Sequence, residues 1–172
     1  RFSSLRLPGK VLKPIKNKPM LIHQIERLEN SQMIDKLIVA TSDCLSDDVI
    51  EEICLKKNIA IYRGSLNNVL DRFYNCAIQY KPKHIVRLTG DCPLIDPYIV
   101  DQVIKYHLAK NSSYTSNCHP PTFPDGLDVE IFVFSQLVYA WQNAKLKTDL
   151  EHVTPFIRNN IKSSSKSNYE SE

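Results

Sequence analysis

His84-Ile-Val-Arg87-Leu-Thr-Gly90-Asp91-Cys-Pro-Leu-Ile-Asp96-Pro97 is the stretch that decides the fold. Its first six residues form a short run rich in β-branched and apolar side chains, which reads as a strand over His84–Thr89. Gly90 ends the run, and Asp91 sets a carboxylate directly beyond the strand's carboxyl end. Asp96 and Pro97 then supply an N-cap and a first helical residue. Ile99, Val100, Val103, Ile104 and Leu108 recur on one side of the helix so begun. Strand, acidic turn and amphipathic helix in succession are the repeating unit of an α/β sheet. Such sheets take ligands outside the carboxyl ends of their strands.

The same alternation extends in both directions. Upstream, Pro19 suits the first turn of a helix with Met20, Leu21, Ile25 and Leu28 on one face. Strands follow over Lys36–Thr41 and Ile59–Tyr62. Between them Ser46 is placed to cap a helix, with Asp47 and Asp48 at its positive end and Lys56 and Lys57 at its negative end. Val69, Leu70, Phe73, Tyr74, Ala77 and Ile78 make a third helical stripe. Downstream come a short strand at Tyr114–Asn117, a Pro-rich loop over His119–Pro124 and an alternating strand at Asp128–Phe134. Helices over Gln136–Lys145 and Asp149–Ile161 follow, and the polar, Ser-rich stretch 163–172 is expected to fray. Strands apolar on both faces argue for a mostly parallel sheet covered by helices on each side.

A chain of 172 residues fits one domain that buries about two-thirds of its unfolded surface. Apolar residues make up 42% and charged residues 24%, the balance of a globular protein. No apolar run approaches the ~20 residues of a membrane span, and no secretory leader is visible. A net charge of +3, with Lys and Arg dispersed, argues against a nucleic-acid binder. Five cysteines without a CxxC pair read as reduced thiols of a cytoplasmic protein.

Four glycines punctuate the chain, and Gly9, Gly90 and Gly126 each stand beside charged residues. The opening loop, residues 1–10, carries Arg1, Arg6 and Lys10 with Ser3, Ser4 and Gly9. Cations, hydroxyls and approachable backbone N–H groups are what a triphosphate requires. The loop is not a Walker A motif, because Val11 follows Lys10 and the leading glycine is missing. On composition alone the blander reading, a solvated basic arm, comes first. Asp128 and Glu130, two apart on a strand, point to one face. Mg²⁺ takes hard oxygen ligands, so one carboxylate from each of two loops converging on a triphosphate suits it. A turn role for Asp91 and a solvated strand face for Asp128 and Glu130 are equal readings of the same residues.

Six segments in order then carry a resemblance: Arg1-x-x-Ser4-x-Arg6-Leu-Pro-Gly9-Lys10, Val39-Ala-Thr-Ser42-Asp43, Arg63-Gly-Ser with Val69-Leu-Asp-Arg72, Arg87 to Pro97, Pro124-Asp-Gly-Leu-Asp128-Val-Glu130, and Glu151-His-Val-Thr-Pro155. Together they resemble bacterial cytidylyltransferases of the spore-coat polysaccharide type, within the acylneuraminate and ketodeoxyoctulosonate cytidylyltransferase superfamily. The resemblance implies a nucleotide-diphospho-sugar transferase fold, a Rossmann-like three-layer α/β sandwich, spanning residues 1–162. It also implies a first strand lying upstream of Arg1. It implies transfer of CMP from CTP to a sugar or sugar acid with release of pyrophosphate, in surface polysaccharide or glycan biosynthesis. Arg6, Lys10 and Asp91 are then the catalytic residues. Arg1, Ser3, Ser4, Gly9, Ser42, Asp43, Arg72 and Arg87 join Arg6 and Lys10 around the nucleotide. Asp91 and Asp128 hold Mg²⁺, with Glu130 as a third ligand or a residue behind them. A structural ion pair is an equal reading for Arg87, and a turn cap for Asp43. Asp96 is read as a helix cap, Asp125 as a turn residue and His119–Pro124 as a lid, while His152 is left open. The resemblance also brings a homodimer. A metal-dependent glycosyltransferase of the same fold and a degenerate nucleotide-binding domain are the alternatives.

Overall fold

The computed structural model describes residues 7–171. A hairpin opens it: β1 (Pro14–Ile15) pairs antiparallel with β2 (Lys18–Pro19). Lys16 and Asn17 both take positive φ at its turn, as a two-residue hairpin loop requires. Next are α1 (Met20–Leu28), β3 (Ile38–Ser42), α2 (Asp48–Lys56) and β4 (Ala60–Gly64). β3 and β4 run parallel, in register from Ile38↔Ala60 to Ser42↔Gly64. α3 (Val69–Tyr80), β5 (His84–Arg87), α4 (Pro97–Lys110) and β6 (Tyr114–Ser116) follow, then β7 (Glu130–Val133), α5 (Phe134–Asn143), α6 (Lys147–His152), α7 (Thr154–Asn160) and β8 (Lys166–Asn168). Asp96 caps α4 as expected, its carboxylate accepting from the Tyr98 N–H at 2.8 Å. Asn68 caps α3 in the same way.

The alternation of elements agrees with an α/β fold, but the sheet differs from the expectation. Among the described residues the strands form mixed sheets rather than a mostly parallel one. The larger runs β5-β7-β6-β8, with β7 antiparallel to both neighbours and β8 parallel to β6. The reversal follows from the 117–129 connection, which folds the chain back on itself without a crossover helix. β8 is the second departure, since residues 166–168 were read as part of a fraying tail. Parallel pairing to β6 satisfies its backbone, and Tyr169 N–H continues the pairing to Ser116 O at 2.7 Å. Ser46 makes no cap. It lies in a 3₁₀ turn over Leu45–Asp47, and α2 begins only at Asp48. Asp47 instead turns inward, where its buried carboxylate accepts from Thr41 Oγ1, Ser42 N–H and Ser42 Oγ.

β7 sits at the centre of the core because its side chains alternate between two helical layers. Phe132 joins Leu70, Leu137, Ala140 and Ile157 beneath α3, α5 and α7. Ile131 joins Val100, Val103 and Ile104 beneath α4. A third cluster, built from Leu21, Ile22, Ile25, Ile50 and Cys54, covers β3 and β4 with α1 and α2. A cleft of about 690 Å³ separates β3 from β5, walled by apolar residues of α1, α3 and both strands. Buried Gln24 reaches it: Nε2 donates to Thr89 O at 2.7 Å, while Oε1 has no partner among the described residues.

Candidate active site

Asp91 stands where the strand-end rule put it, beyond the carboxyl end of β5. Gly9 takes a left-handed φ of 68°, and a 3₁₀ turn over Lys10–Leu12 follows it. That turn delivers Lys10 Nζ to within 2.8 Å of Asp91 Oδ2, across 81 residues of sequence. Burial pushes the Asp91 carboxyl up, but hydrogen bonds from Lys10 and Thr89 outweigh it and hold the group below its ordinary value. Arg1, Ser3, Ser4 and Arg6 lie outside the described residues.

A second acidic segment lies within electrostatic reach of Cys92, next to Asp91. Asn117 fixes it: its Oδ1 accepts from Val129 N–H and its Nδ2 donates to Leu127 O, both at 2.8 Å. Asp128 is exposed, and Glu130 is buried. The Asp128 carboxyl is pushed above its ordinary value by burial, then by the charges of Asp125 and Glu130. Glu130 accepts from Arg87 Nη1 at 2.5 Å, Tyr114 Oη at 2.6 Å and Thr154 Oγ1 at 3.0 Å. Arg87 is therefore in an ion pair, one of the two roles open to it in the sequence. Cys92 links the two walls. Burial raises its thiol first, and the charges of Asp91, Asp128 and Asp125 raise it further. One sulfur thus senses carboxylates from both segments. Among the described residues, no three His, Cys, Asp or Glu side chains are placed to hold a metal by themselves.

The ends of β3 and β4 carry the remaining candidates, and Thr41 and Arg72 share a cleft with Thr89 and Gly90. Ser42 is fully buried and its hydroxyl is given to Asp47. Asp43 is exposed and caps nothing; its N–H donates to Gly64 O at 2.9 Å. Arg63 fastens this end, donating to Ser42 O, Cys44 O and Glu51 and pairing with Asp48 at 2.7 Å. Arg72 is 5% exposed and runs beneath Gly64, where a Cβ would stand 3.2 Å from Arg72 Cγ and 3.0 Å from the Tyr62 ring. Gly64, taken from sequence as simple turn chemistry, is thus also a close-approach glycine.

Beside Asp128 opens a cavity of about 620 Å³ that includes His119, His152, Thr154 and Arg158 in its walls. Sequence reading named the 119–124 loop and left His152 open, but it missed Thr154 and Arg158. Their placement depends on Val153, whose φ of 69° and ψ of −58° break the expected single helix into α6 and α7. A β-branched residue in that region is strained, and such strain persists only where surrounding packing enforces it. Val153 is fully buried in the core beside Phe132 and Leu137. The break aims Thr154 at Glu130 and Arg158 at His119, whose Nε2 accepts from Arg158 Nη1. β8 secures the far side: Asn168 Oδ1 accepts from His119 N–H at 3.1 Å, and Asn168 Nδ2 donates to Pro120 O.

Residues 1–170 match the cytidylyltransferase family model. An uncharacterized protein of Methanocaldococcus jannaschii is 41% identical over 160 residues, covering 93% of this chain. The spore coat polysaccharide biosynthesis protein SpsF of Bacillus subtilis is 37% identical over 164 residues, covering 92% of this chain. The chain spans 65% and 67% of the lengths of those two relatives. Among solved structures, a cytidylyltransferase of Leptospira borgpetersenii superposes with a TM-score of 0.94 at 35% identity, over 100% of this chain and 73% of that one. A CMP-2-keto-3-deoxy-manno-octonic acid synthetase complexed with CTP shares the fold at a TM-score of 0.73 and 16% identity, over 99% of this chain and 86% of that one. With its fold, its Lys10–Asp91 corner and the match along 1–170, the chain belongs to the cytidylyltransferase family.

Proposed function

We propose that this protein transfers CMP from CTP to a sugar or sugar acid, releasing pyrophosphate, in the making of a surface polysaccharide or glycan. The observation that carries this reading is the Lys10–Asp91 contact at 2.8 Å, which seats a loop cation on a strand-end carboxylate opposite Asp128. In the reaction the acceptor hydroxyl oxygen forms a bond to the α-phosphorus as the bond to the β-phosphate breaks. In-line positioning and charge neutralisation suffice for such a step, without a covalent nucleophile.

Lys10, with Arg6, neutralises the departing pyrophosphate, and Gly9 and the Arg1, Ser3 and Ser4 segment offer it donors. Ser42 and Asp43 border the nucleotide at the end of β3, with Arg72 beneath them. The hard-oxygen donors Asp91 and Asp128, both sensed by Cys92, fit Mg²⁺ with the remaining positions left to phosphate and water oxygens. Such an ion, when bound, would polarise the α-phosphate. Glu130, whose oxygens are committed to Arg87, Tyr114 and Thr154, takes the supporting place behind Asp128.

The cleft between β3 and β5 belongs to the same reading. Its facing strand edges, apolar walls and unpartnered Gln24 Oε1 suit one more strand, which would complete the three-layer sandwich and lead into the phosphate loop. No helix among the described residues is long and apolar enough to cross a membrane. The five free thiols are the state that the cytoplasm maintains. A homodimer is carried from the resemblance.

The test is pyrophosphate release by the full-length protein with Mg²⁺, each NTP and a panel of sugar acids and sugar phosphates, repeated with Asp91→Ala. Release that needs CTP, an acceptor and Asp91 is the expected result. An absence of affinity for every NTP overturns the reading.

A further inference from the structure

Asp128 sits just past the end of a ladder. β6 and β7 pair as far as Ser116↔Glu130, and the Asn117 N–H, donating to Val129 O at 3.3 Å, adds one further rung. Continued on that register, the ladder would set Cys118 opposite Asp128. Cys118 turns away instead and bridges Pro121. The space it leaves belongs to the cavity of about 620 Å³ that Cys118, Pro121 and Asp128 help to wall. The backbone around Asp128 therefore needs its hydrogen-bond partners from somewhere other than a neighbouring strand.

One side chain supplies them. Asn117 is 1% exposed, and its amide offers an acceptor and donors as a peptide group does. Oδ1 accepts from Val129 N–H and Nδ2 donates to Leu127 O, both at 2.8 Å. Those atoms belong to the two peptide groups that flank the Asp128 Cα, so a single amide fixes the backbone on both sides of the carboxylate's attachment. Val129 gives a second anchor: it is fully buried in the cluster that holds Ile95 and Val100. Ile95 lies on the turn after Asp91, where its N–H donates to Cys92 O at 3.1 Å. Asp128 is thus held with reference to the segment that carries Asp91.

The geometry points to Asn117 as a positioning residue of the proposed metal site, holding Asp128 for a divalent cation shared with Asp91 in place of the strand neighbour that the cavity displaces. This rests on the cytidylyltransferase reading above and adds the residue that makes one of its carboxylates ready. Mg²⁺ demands near-octahedral geometry, so a ligand that wanders loses affinity. Groups behind a metal ligand typically change affinity by about 10- to 100-fold when removed. Both side-chain bonds of Asn117 go to backbone. Its loss therefore leaves every carboxylate present and changes only how firmly one of them is held.

The experiment is titration of the full-length protein with Mn²⁺, followed by electron paramagnetic resonance, in the presence of CTP and without an acceptor. Wild type, Asn117→Ala and Asn117→Ser are compared, each also in an Asp128→Asn background. Asn117→Ala should weaken Mn²⁺ binding about 10-fold. Asn117→Ser should weaken it less, because a hydroxyl can serve one of the two peptide groups. In the Asp128→Asn background neither change should weaken it further, a coupling that a general loss of stability does not produce. Amide hydrogen exchange gives a second readout: Val129 N–H should exchange slowly in wild type before metal or nucleotide is added, and fast in Asn117→Ala. Unchanged Mn²⁺ affinity in both variants, or equal weakening with and without Asp128, overturns the inference. So does fast exchange at Val129 in metal-free wild type, a measurement that needs no variant to fold. Wild type that binds CTP but no Mn²⁺ overturns it too, whereas an absence of affinity for every NTP sinks the cytidylyltransferase reading itself.

Discussion

The two acidic walls of the site solve the problem of close carboxylates in opposite ways. At the β5 wall a cation is already in place, and Lys10 holds Asp91 below its ordinary range despite partial burial. At the β7 wall the cations stand one residue removed. Arg87 is paired with Glu130 and Arg158 donates to His119, while Asp128 is pushed up by burial and then by the charges of Asp125 and Glu130. One wall is electrostatically complete before substrate arrives, and the other is not. On the proposed function, the difference says where a divalent ion would gain most: at Asp128, with Asp91 as its partner.

Substitutions break this comparison with the largest effect at the carboxylates. Asp128→Ala and Asp91→Ala should each lower CTP-dependent pyrophosphate release by on the order of 100- to 1,000-fold. Asp91→Ala also leaves Lys10 without its partner. A variant at either position retaining near wild-type release under saturating Mg²⁺ would break the two-wall account.

Glu130 tests the other half. Three donors converge on this buried carboxylate, so Glu130→Ala strands Arg87 and should cost about 3–5 kcal/mol of folding stability in urea unfolding. Glu130→Gln, keeping an acceptor for Tyr114 and Thr154, should cost less. An unchanged stability in Glu130→Ala would show that Arg87 finds another partner.

Two pH effects are smaller. His107 is fully buried between His84, at 3.0 Å, and Thr115, at 2.8 Å. Burial, with His84 adding to it, lowers its pKa from 6.5 to about 4. The unfolded chain therefore takes up this proton at higher pH than the folded one. Stability from His107 is complete above about pH 6.5 and is lost as pH falls toward 4. Urea midpoints measured across that window should fall, and His107→Gln should flatten the slope. Metal affinity should sharpen the comparison of the walls. Its loss on acidification should follow Asp128, whose raised carboxyl protonates first, rather than Asp91. An Asp128→Asn variant should shift that limb to lower pH, at reduced affinity, and Asp91→Asn should leave its position alone.

Much of the fold was legible because its signals are local. The Asp96-Pro97 cap, the apolar stripes of α1 and α3, and the β3 and β4 runs are all read within a few residues and are found where expected. Ser46 failed as a cap for a non-local reason, since Asp47 finds its donors on β3. Residues 163–171 failed similarly: a polar stretch forms a strand only because β6 offers an open edge. The site divides along the same line. Gly9, Lys10, Asp91 and Asp128 stood out as candidates by residue type beside glycines, and the resemblance gave them their expected roles. Arg158 and Thr154 carried no such mark, because their roles depend on a break at Val153 that no propensity foretells.

By itself the sequence determined that strands and helices alternate, that a carboxylate follows β5 and that two more share one face near β7. Those properties follow from period, capping and turn chemistry, which act over neighbouring residues. Tertiary structure decided strand direction, the commitment of Glu130 to Arg87, the opposite pKa shifts of Asp91 and Asp128, and the meeting of Arg158 with His119. Each depends on charges and hydrogen-bond partners brought together from distant parts of the chain, and Coulomb energy is set by distance through the folded molecule.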